Sequence, residues 1–252
     1  MSASMDIEVR ECISIEDFEQ CVALQREVFG FPDVELSPRR HFIVSRRAGG
    51  WALGAFAGQE LIGFVHNLPA VDGAQVYGYS HMLAVKSEFQ NRGVGARLKW
   101  AQRERALAEG RKLIRWTWDP LQARNAHFNL NRLGVVVRRY EVNFYGTDYS
   151  VPAGENAPGI DSDRLFGEWE LDSARVRSRA SGQESDAPSE PALAIEVPPA
   201  WSALIRQDAT AARREQLRVR AEFTEAFDAG LVCAGFAPDA SHPRYLLYKN
   251  LE

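Results

Sequence analysis

Residues 83–95 read LAVKSEFQNRGVG, in which an apolar strand end runs into a Gln-x-Arg-Gly-x-Gly turn at the start of an amphipathic helix. Gly93 and Gly95 let the backbone come close to an anion and leave its amides free to point at it. The positive end of the helix dipole and the guanidinium of Arg92 add positive charge at the same place. The stretch therefore predicts a cradle for a pyrophosphate group.

The helix after this turn is well defined by its pattern. One stripe, with spacings of three and four residues, consists of Val94, Leu98, Ala101, Arg105 and Ala108. Gly110 predicts the C-terminal end of the helix. A dinucleotide-binding Gly-x-Gly-x-x-Gly is excluded because Leu98 occupies the third glycine position, and a P-loop is excluded because no Gly-Lys-Ser/Thr follows.

The run 83–95 resembles motif A of the GNAT acetyltransferase superfamily, whose pattern is an apolar strand, a short loop and Gln/Arg-x-x-Gly-x-Gly/Ala. Gln90, Gly93 and Gly95 match that pattern, and Ser87 stands where a loop proline is usual. The resemblance implies an α/β fold of the α+β type, the GNAT fold. In that fold a central mixed, mostly antiparallel twisted sheet is flanked by helices.

The resemblance also implies a co-substrate, acetyl-CoA or another acyl-CoA. It covers roughly residues 9–171 and places the acyl carbonyl against the backbone at the end of the strand that precedes the turn. A shorter match to motif B of the same family adds Asn125. The predicted coenzyme-binding residues are Leu83, Ala84, Val85, Gln90, Asn91, Arg92, Gly93, Val94, Gly95, Ala96 and Asn125.

Two candidates for proton transfer lie on the strand before the turn. Tyr79 and His81 are two residues apart and so face the same side of a regular strand. Tyr79 stands where some family members carry a catalytic glutamate. We expect His81 to be the base, because its unperturbed pKa of about 6.5 suits neutral pH, whereas a tyrosine pKa of about 10 suits an acid. The alternative is that His81 only forms hydrogen bonds within the sheet.

One position departs from the family pattern. Counted back from Leu133 and Gly134, Leu130 stands where many family members carry a tyrosine that protonates the departing thiolate. Three explanations are open: another donor such as Tyr140 or Tyr145 replaces it, solvent replaces it, or the fold binds coenzyme without efficient transfer. Tyr145 is kept as the third catalytic candidate.

Composition restricts the partners and the location. The formal net charge of −4 gives no general attraction to nucleic acid or to an anionic membrane, so neither is expected as a partner. No apolar run approaches the roughly 20 residues of a membrane span, and residues 1–10 lack a signal-peptide core, so we expect a cytoplasmic protein. Cys12, Cys21 and Cys233 are odd in number and lack Cys-x-x-Cys spacing, so no disulfide framework and no metal site are expected.

The chain divides into three predicted parts. Residues 1–171 form the GNAT acyltransferase domain. Residues 172–192 are rich in Ser, Ala, Arg, Glu and Asp and are predicted to be a flexible linker. Residues 193–252 show a strand-helix-strand-strand pattern and are marginal for independent stability. We expect this extension to pack on the main domain or on a second subunit, the latter giving a homodimer.

Periodicity and turn residues predict the individual elements. The helices are expected at 15–29, from 94 to Gly110, at 123–133 and at 209–229, and the strands at 51–57, 60–67, 77–85, 112–118, 135–145, 163–171, 193–197, 231–236 and 245–249. Residues 69–73 read as a turn, and residues 31–47 as a loop or short helix. His66, Asp119 and Glu141 stand where a side chain can face the cleft between diverging strands, but each is expected to be a solvent contact at a strand end rather than a catalyst.

Together these observations imply an acyl-CoA-dependent N-acyltransferase, in the first instance an N-acetyltransferase. A primary amine would attack the thioester directly in a ternary complex. The acceptor would be a small-molecule or peptide amine, and the sequence does not identify it, because acceptor loops vary independently of the coenzyme site. The alternative is a catalytically weak CoA-binding regulatory or interaction module.

Overall fold

The computed structural model describes residues 6–149, 158–183 and 190–251. The chain forms two compact units, Met1–Ile114 and Arg115–Glu252, called unit 1 and unit 2 below. The predicted boundaries at 171 and 193 do not coincide with this division, because a strand of the C-terminal extension pairs within unit 2, at Val137 and Cys233.

Unit 1 contains a sheet in the order β1-β2-β3-β4, with every neighbouring pair antiparallel. The strands are β1 (Ile7–Glu11), β2 (Trp51–Ala57), β3 (Glu60–Asp72) and β4 (Gln75–Val85). The helices are α1 (Ile15–Phe29), α2 (Arg39–Arg47) and α3 (Val94–Ala108). Single 3₁₀ turns cover Asp33–Glu35 and Ser87–Phe89.

Helix α1 begins and ends at the predicted signals. Ser14 Oγ accepts a hydrogen bond from the Asp17 amide at 3.0 Å, and Asp17 Oδ2 accepts one from the Ser14 amide at 3.2 Å, which together form a capping box. Gly30, with a φ of 62°, ends the helix in the left-handed conformation that glycine adopts without strain. The helix therefore occupies the predicted residues.

The helices of unit 1 cover both faces of its sheet. Phe64 of β3 packs against Phe42 of α2, with ring centroids 5.8 Å apart. A Cβ on the preceding residue, Gly63, would instead approach Leu98 of α3 to 3.2 Å. Because successive strand residues point to opposite faces, α1 and α2 cover one face and α3 covers the other.

A buried polar network holds α3 against the sheet. Lys99 is 2% exposed and donates from Nζ to Ser80 Oγ at 3.1 Å and to Gln102 Oε1 at 2.8 Å. Gln102 Nε2 donates to Asn67 Oδ1 at 3.2 Å. Burial lowers the pKa of Lys99 well below its ordinary value. The network joins α3 to β3 and β4 through side chains from all three elements.

Unit 2 contains strands in the order β5-β7-β6-β9-β10-β8. They are β5 (Leu113–Trp118), β6 (Val136–Glu141), β7 (Arg164–Glu170), β8 (Leu193–Glu196), β9 (Val232–Ala237) and β10 (Arg244–Tyr248). The helices are α4 (Ala123–Ala126), α5 (Ala174–Ala180), α6 (Trp201–Gln207) and α7 (Ala209–Asp228), and a π-helical segment, His127–Arg132, continues α4.

An ion-pair network connects α7 to the start of β7. Arg220 contacts Asp161 at 2.6 Å and Asp163 at 2.8 Å, and Arg213 contacts Asp161 at 2.7 Å. Burial alone would raise the pKa of Asp161, but the hydrogen bonds from Arg220, Thr147 and Arg213 lower it to about 2. The C-terminal helix is thereby tied to residues that precede β7 within the same unit.

The β3–β4 hairpin is longer than the sequence pattern predicts. The expected turn at 69–73 is mostly strand, and the connection is Gly73 and Ala74, between the paired residues Asp72 and Gln75. Pro69 fits inside β3 because β2 ends its pairing at Asn67, so no β2 partner needs the missing amide proton.

The segment predicted as a linker contains α5. Ser173 caps this helix through a hydrogen bond from the Val176 amide, and Val176 is buried. Arg175 of the same helix donates to the carbonyls of Gly134, Leu130 and Ala234, so α5 is held by contacts that the polar composition of 172–192 does not reveal. The predicted helix at 123–133 also differs, since α4 gives way to the π-helical segment.

Besides α5, two further elements were absent from the sequence-based expectation. Strand β1 pairs with β2 along its whole length, from Ile7 opposite Ala57 to Glu11 opposite Leu53. Helix α6 directly follows the proline pair at 198–199. Among the described residues, no helix has the length and apolar character needed to cross a membrane.

The buried lysine leads to a prediction about stability. An unfolded chain keeps a lysine protonated up to about pH 10.4, whereas the folded protein releases this proton at lower pH, so the free energy of unfolding should rise with pH over that interval. The slope is at most about 1.4 kcal/mol per pH unit. We expect Lys99→Met to remove this rise and to stabilise the protein at pH 7.

Chemical denaturation between pH 7 and pH 10 measures the effect. Lys112→Met, at an exposed lysine near the end of α3, is the matched control and should keep the slope of the unchanged protein. Parallel curves for all three proteins would contradict the assignment of the slope to Lys99.

Candidate active site in unit 1

The residues predicted to form the anion cradle lie where β4 meets α3. After Val85 the chain makes the turn Ser87–Phe89, and the side-chain Nε2 of Gln90 donates back to the Val85 carbonyl at 2.9 Å. This bond closes the loop across its base. The glutamine of the sequence motif, Gln90, therefore has a structural role in this loop.

The backbone of the cradle is set by two residues in the left-handed region. Asn91 has a φ of 60° and Gly93 a φ of 82°, and Gly93 is the N-cap of α3. No side chain caps this helix end. The first-turn amides of an α-helix have no partner within the helix, and the dipole adds positive potential there. The arrangement fits an anionic group.

Gly95 leaves room at the first turn of α3. A Cβ at this position would lie 3.8 Å from Leu83 Cδ2 and 3.9 Å from Val85 Cγ2, which are ordinary contacts. The fold itself would therefore accept alanine here. The absence of a side chain keeps the surface between β4 and the helix start open, as close approach by a ligand requires. This open surface fits the coenzyme implied by the sequence.

The two arginines at the cradle, Arg92 and Arg97, differ in the contacts that their guanidinium groups make. Arg92 is exposed and lies over the ring of Phe89, 5.8 Å from its centroid. Arg97 donates to the carbonyl of Ile7 in β1 and is committed to that contact. Arg92 is thus the cation of this loop that stays available beside the helix start.

Strand β4 carries a β-bulge at His81. Met82 lies opposite His66 and Ser80 lies opposite Asn67, so His81 is an extra residue with no counterpart in β3. Bulges redirect side chains and occur often beside active sites. The bulge lies four residues before Val85, on the strand that leads into the cradle.

Three imidazoles meet around this bulge and are called the histidine cluster below. It consists of His41 of α2, His66 of β3 and His81 of β4. Ring centroids are 5.2 Å apart for His41 and His66, 5.5 Å for His41 and His81, and 5.8 Å for His66 and His81. His66 is 0% exposed, so the expectation of a solvent contact at that strand end is corrected. The ring of Phe42 stacks on His66 at 4.6 Å.

Hydrogen bonds determine the tautomer of His66. The Ser45 hydroxyl donates its single proton to the Phe42 carbonyl at 3.0 Å, and Ser45 Oγ lies 2.8 Å from His66 Nε2. With the Ser45 proton given to the Phe42 carbonyl, Ser45 Oγ accepts from His66 Nε2, and this arrangement assigns the proton of the neutral imidazole to Nε2. The lone pair of His66 Nδ1 is buried without a hydrogen-bond partner, and His41 Nε2 is also unpartnered. The cluster thus keeps proton-accepting capacity that the protein does not use internally.

The third imidazole is positioned through Ser37. Ser37 Oγ lies 3.1 Å from His81 Nε2. The Ser37 backbone is held in turn by Gln25, whose Oε1 accepts from the Ser37 amide at 2.9 Å and whose Nε2 donates to the Ser37 carbonyl at 3.1 Å. A side chain of α1 therefore fixes the loop that orients His81.

The cluster is electrically neutral at pH 7. Burial, with a smaller contribution from His41, lowers the pKa of His81 to about 4. Burial, with contributions from His81 and His41, lowers the pKa of His66 to about 3. Burial also lowers the pKa of His41. The sequence-based expectation of a pKa near 6.5 for His81 thus differs from the structure, because the sequence does not show the burial of the ring or its neighbours.

Tyr79 belongs to the same strand as His81 and lies opposite Leu68 of β3. It precedes the bulge, so regular alternation places it on the face of His81. The histidine cluster itself was missed as a group, since His41 comes from the segment 31–47, which had no readable function. No local sequence signal marks it, because His66 and His81 lie inside β3 and β4 and meet His41 only through the pairing register.

The remaining predicted residues belong to unit 2. Asn125 is an exposed residue of α4. Leu130 is fully buried in the π-helical segment. Tyr140 donates to Asp163 Oδ2 at 2.7 Å, and burial, with the carboxylate of Asp163, raises its pKa. Tyr145 is 47% exposed, so of the two tyrosines it has the more accessible ring.

Asp119 differs from its expected role as a solvent contact. Its Oδ1 accepts from the Leu121 amide at 2.9 Å, and its Oδ2 accepts from Trp201 Nε1 at 3.0 Å. Burial raises the pKa of this carboxyl. In unit 2 Asp119 thus links β5 to α6. No group of three or more His, Cys, Asp or Glu side chains within the described residues is arranged to hold a metal ion.

Residues 16–134 match the family model described as the acetyltransferase (GNAT) family. No curated protein matches the chain. Several hundred chains of solved structures resemble it in fold.

Three of these structures illustrate the similarity. The ribosomal-protein-S18-alanine N-acetyltransferase from Escherichia coli has 12% identity and a TM-score of 0.53, covering 67% of this chain and 96% of its own. The GNAT-family acetyltransferase from Streptococcus pneumoniae has 16% identity and a TM-score of 0.50, covering 65% and 98%. A chain of the NatC complex bound to Gag peptide and CoA has 16% identity and a TM-score of 0.51, covering 66% and 99%. At these identities the likeness shows the fold, and the predicted GNAT fold is confirmed.

The open surface at Gly95 gives a test of the cradle. Gly95→Trp should fill the space beside Leu83 and Val85 and weaken CoA binding by at least about tenfold, a loss of at least about 1.4 kcal/mol. Gly95→Ala is the matched control, because its Cβ meets only ordinary contacts. Calorimetric titration with CoA and thermal unfolding would be measured for both variants. If Gly95→Trp binds CoA as the unchanged protein does, the cradle lies elsewhere.

Proposed function

We propose that the chain is an acyl-CoA-dependent N-acyltransferase, because residues 16–134 match the family model described as the acetyltransferase (GNAT) family. In the first instance it would be an N-acetyltransferase that moves the acetyl group of acetyl-CoA to a primary amine. The observation that carries the proposal is the uncapped start of α3 behind Gly93, joined by the Gln90 side chain to the end of β4.

In this proposal the two ends of the 83–96 segment have different tasks. The loop from Gln90 to Ala96 holds the pyrophosphate through backbone amides, the helix dipole and Arg92. The backbone of Leu83, Ala84 and Val85 holds the acyl end of the co-substrate, and Asn125 contributes a polar contact. Acetyl-CoA, when bound, supplies the activated acyl thioester.

We assign proton transfer to His81, with Tyr79 as its neighbour on β4. A neutral imidazole with a pKa of about 4 cannot take a proton from a free alkylammonium at pH 7. It can take one from the nitrogen of an adduct, which becomes acidic once the nitrogen has bonded to the acyl carbon. Tyr145 is our candidate for protonating the departing thiolate, because Leu130 cannot donate and Tyr140 is already bonded to Asp163.

The acceptor is proposed to be a small-molecule or peptide amine. Two of the structural neighbours are described by peptide or protein acceptors, namely the alanine of a ribosomal protein and a Gag peptide, so peptide amines belong in an acceptor screen. A cytoplasmic location, a homodimer built through the extension, and the lack of nucleic-acid and membrane partners stay predictions from the sequence.

The proposal is tested by binding and turnover. Titration calorimetry with acetyl-CoA, longer acyl-CoAs and free CoA should give dissociation constants in the micromolar range, about −8 kcal/mol. A panel of amines with acetyl-CoA should then release free CoA thiol. Binding without turnover of any amine would favour the CoA-binding regulatory module. No binding to any CoA species would overturn the proposed function.

A further inference from the structure

The histidine cluster has a property that the proposed coenzyme site does not explain. It brings three ionisable side chains together at the bulge of β4 but holds them uncharged. His66 is fully buried against Phe42, so a positive charge there would lose its hydration without compensation. The rings also lower one another's pKa, because a positive charge on one ring disfavours protonation of the others.

Among the described residues, the contacts of His81 given above include no carboxylate that would offset a cation. From α1 the facing group is the amide of Gln25, acting through Ser37, and from α2 and β3 the facing titratable groups are His41 and His66. Among the described residues, His41 is the one charge-bearing group that shifts the pKa of His81.

Two carboxylates of α1 are paired with arginines. Glu19 of α1 pairs with Arg39 at the surface, and Asp17 pairs with Arg10 at 2.9 Å. An ammonium group placed beside His81 would therefore be dehydrated with no carboxylate to balance its charge, which is costly.

We propose that the cluster makes this site selective for weakly basic amines, such as arylamines and peptide α-amino groups, over strongly basic alkylamines such as the lysine side chain. This inference rests on the proposed function, because it requires the acceptor to reach the bulge of β4. In this inference the acceptor amine binds beside the cluster only in its uncharged form.

The chemistry balances without any further reactant. The lone pair of the neutral amine forms the carbon–nitrogen bond, and the carbon–sulfur bond of the thioester then breaks. His81 takes one proton from the nitrogen of the adduct and releases it to solvent, while Tyr145 gives one proton to the departing thiolate and regains one from solvent. The products are the N-acyl amine and free CoA thiol, so the cluster is neutral again at the end.

The size of the discrimination follows from amine ionisation. An amine with the pKa of a lysine side chain, about 10.4, is uncharged in roughly one molecule in 2,500 at pH 7, whereas an α-amine with a pKa of about 8 is uncharged in roughly one in ten. A site without a counter-ion should therefore favour the α-amine, even though the lysine amine is the stronger nucleophile once deprotonated.

The test uses two versions of one peptide that each carry a single free amine. One has a free N-terminus and an acetylated lysine, and the other has an acetylated N-terminus and a free lysine. We expect kcat/KM at pH 7 to be at least about tenfold higher for the free N-terminus. An aniline derivative should also be acylated. Preference of the unchanged protein for the lysine peptide at pH 7 would overturn the inference.

A charge-changing variant distinguishes the effect of the cluster on selectivity from the effect of amine ionisation in solution. His41→Glu places a carboxylate beside His81, and position 41 is the third residue of α2, where glutamate is compatible with the helix start. It should raise the lysine-to-N-terminus ratio of kcat/KM at least about tenfold. His41→Gln, of the same length but uncharged, is the control and should not raise it.

The controls keep this test distinct from the test of function. Thermal unfolding and CoA titration confirm that each variant is folded and binds coenzyme. Equal ratios for the glutamate and glutamine variants would show that the cluster does not determine selectivity. Loss of CoA binding or of all turnover in the unchanged protein would instead remove the proposed function itself.

Discussion

The extra residue of β4 at His81 determines which side chains of unit 1 face α3 and which face α1 and α2. Ser80 points to Lys99 of α3, and Leu83 lies beside the first turn of the same helix, although three residues separate them along the strand. In a regular strand, residues three apart point to opposite faces. The bulge lets both meet α3 while Met82 joins His81 on the opposite face.

The cradle could be predicted from sequence because its structure depends on neighbours along the chain. Gly93 adopts a positive φ, Gln90 bonds to a carbonyl five residues earlier, and α3 begins directly afterwards. Local geometry of this kind is encoded in consecutive residues. The same holds for α1, whose capping box joins Ser14 and Asp17, and the fold class followed from recognising one such segment.

The histidine cluster could not be predicted, because its members are distant in sequence and depend on pairing register. His41, His66 and His81 meet only when β3 and β4 pair with an offset of one residue at the bulge. A shift of one residue exchanges the faces of a strand, and no local pattern fixes it here. The lowered pKa values, which leave the rings uncharged at pH 7, follow from burial, and burial is likewise a tertiary property. Helix α5 escaped prediction for a related reason, since Val176 and Arg175 hold it through contacts with residues distant in sequence.

The two functional parts of β4 have opposite electrostatic requirements. At Val85 the strand meets a helix N-terminus that favours negative charge, and four residues earlier, about 13 Å along an extended strand, His81 stands in a cluster that disfavours positive charge. A ligand that is anionic at one end and meets a neutral nucleophile at the other satisfies both. An acyl-CoA together with an uncharged amine has this distribution, whereas an ammonium at His81 would lack a counter-ion. Selection of the acceptor by charge would then follow from the position of one bulge residue and from His41, which α2 contributes to its surroundings.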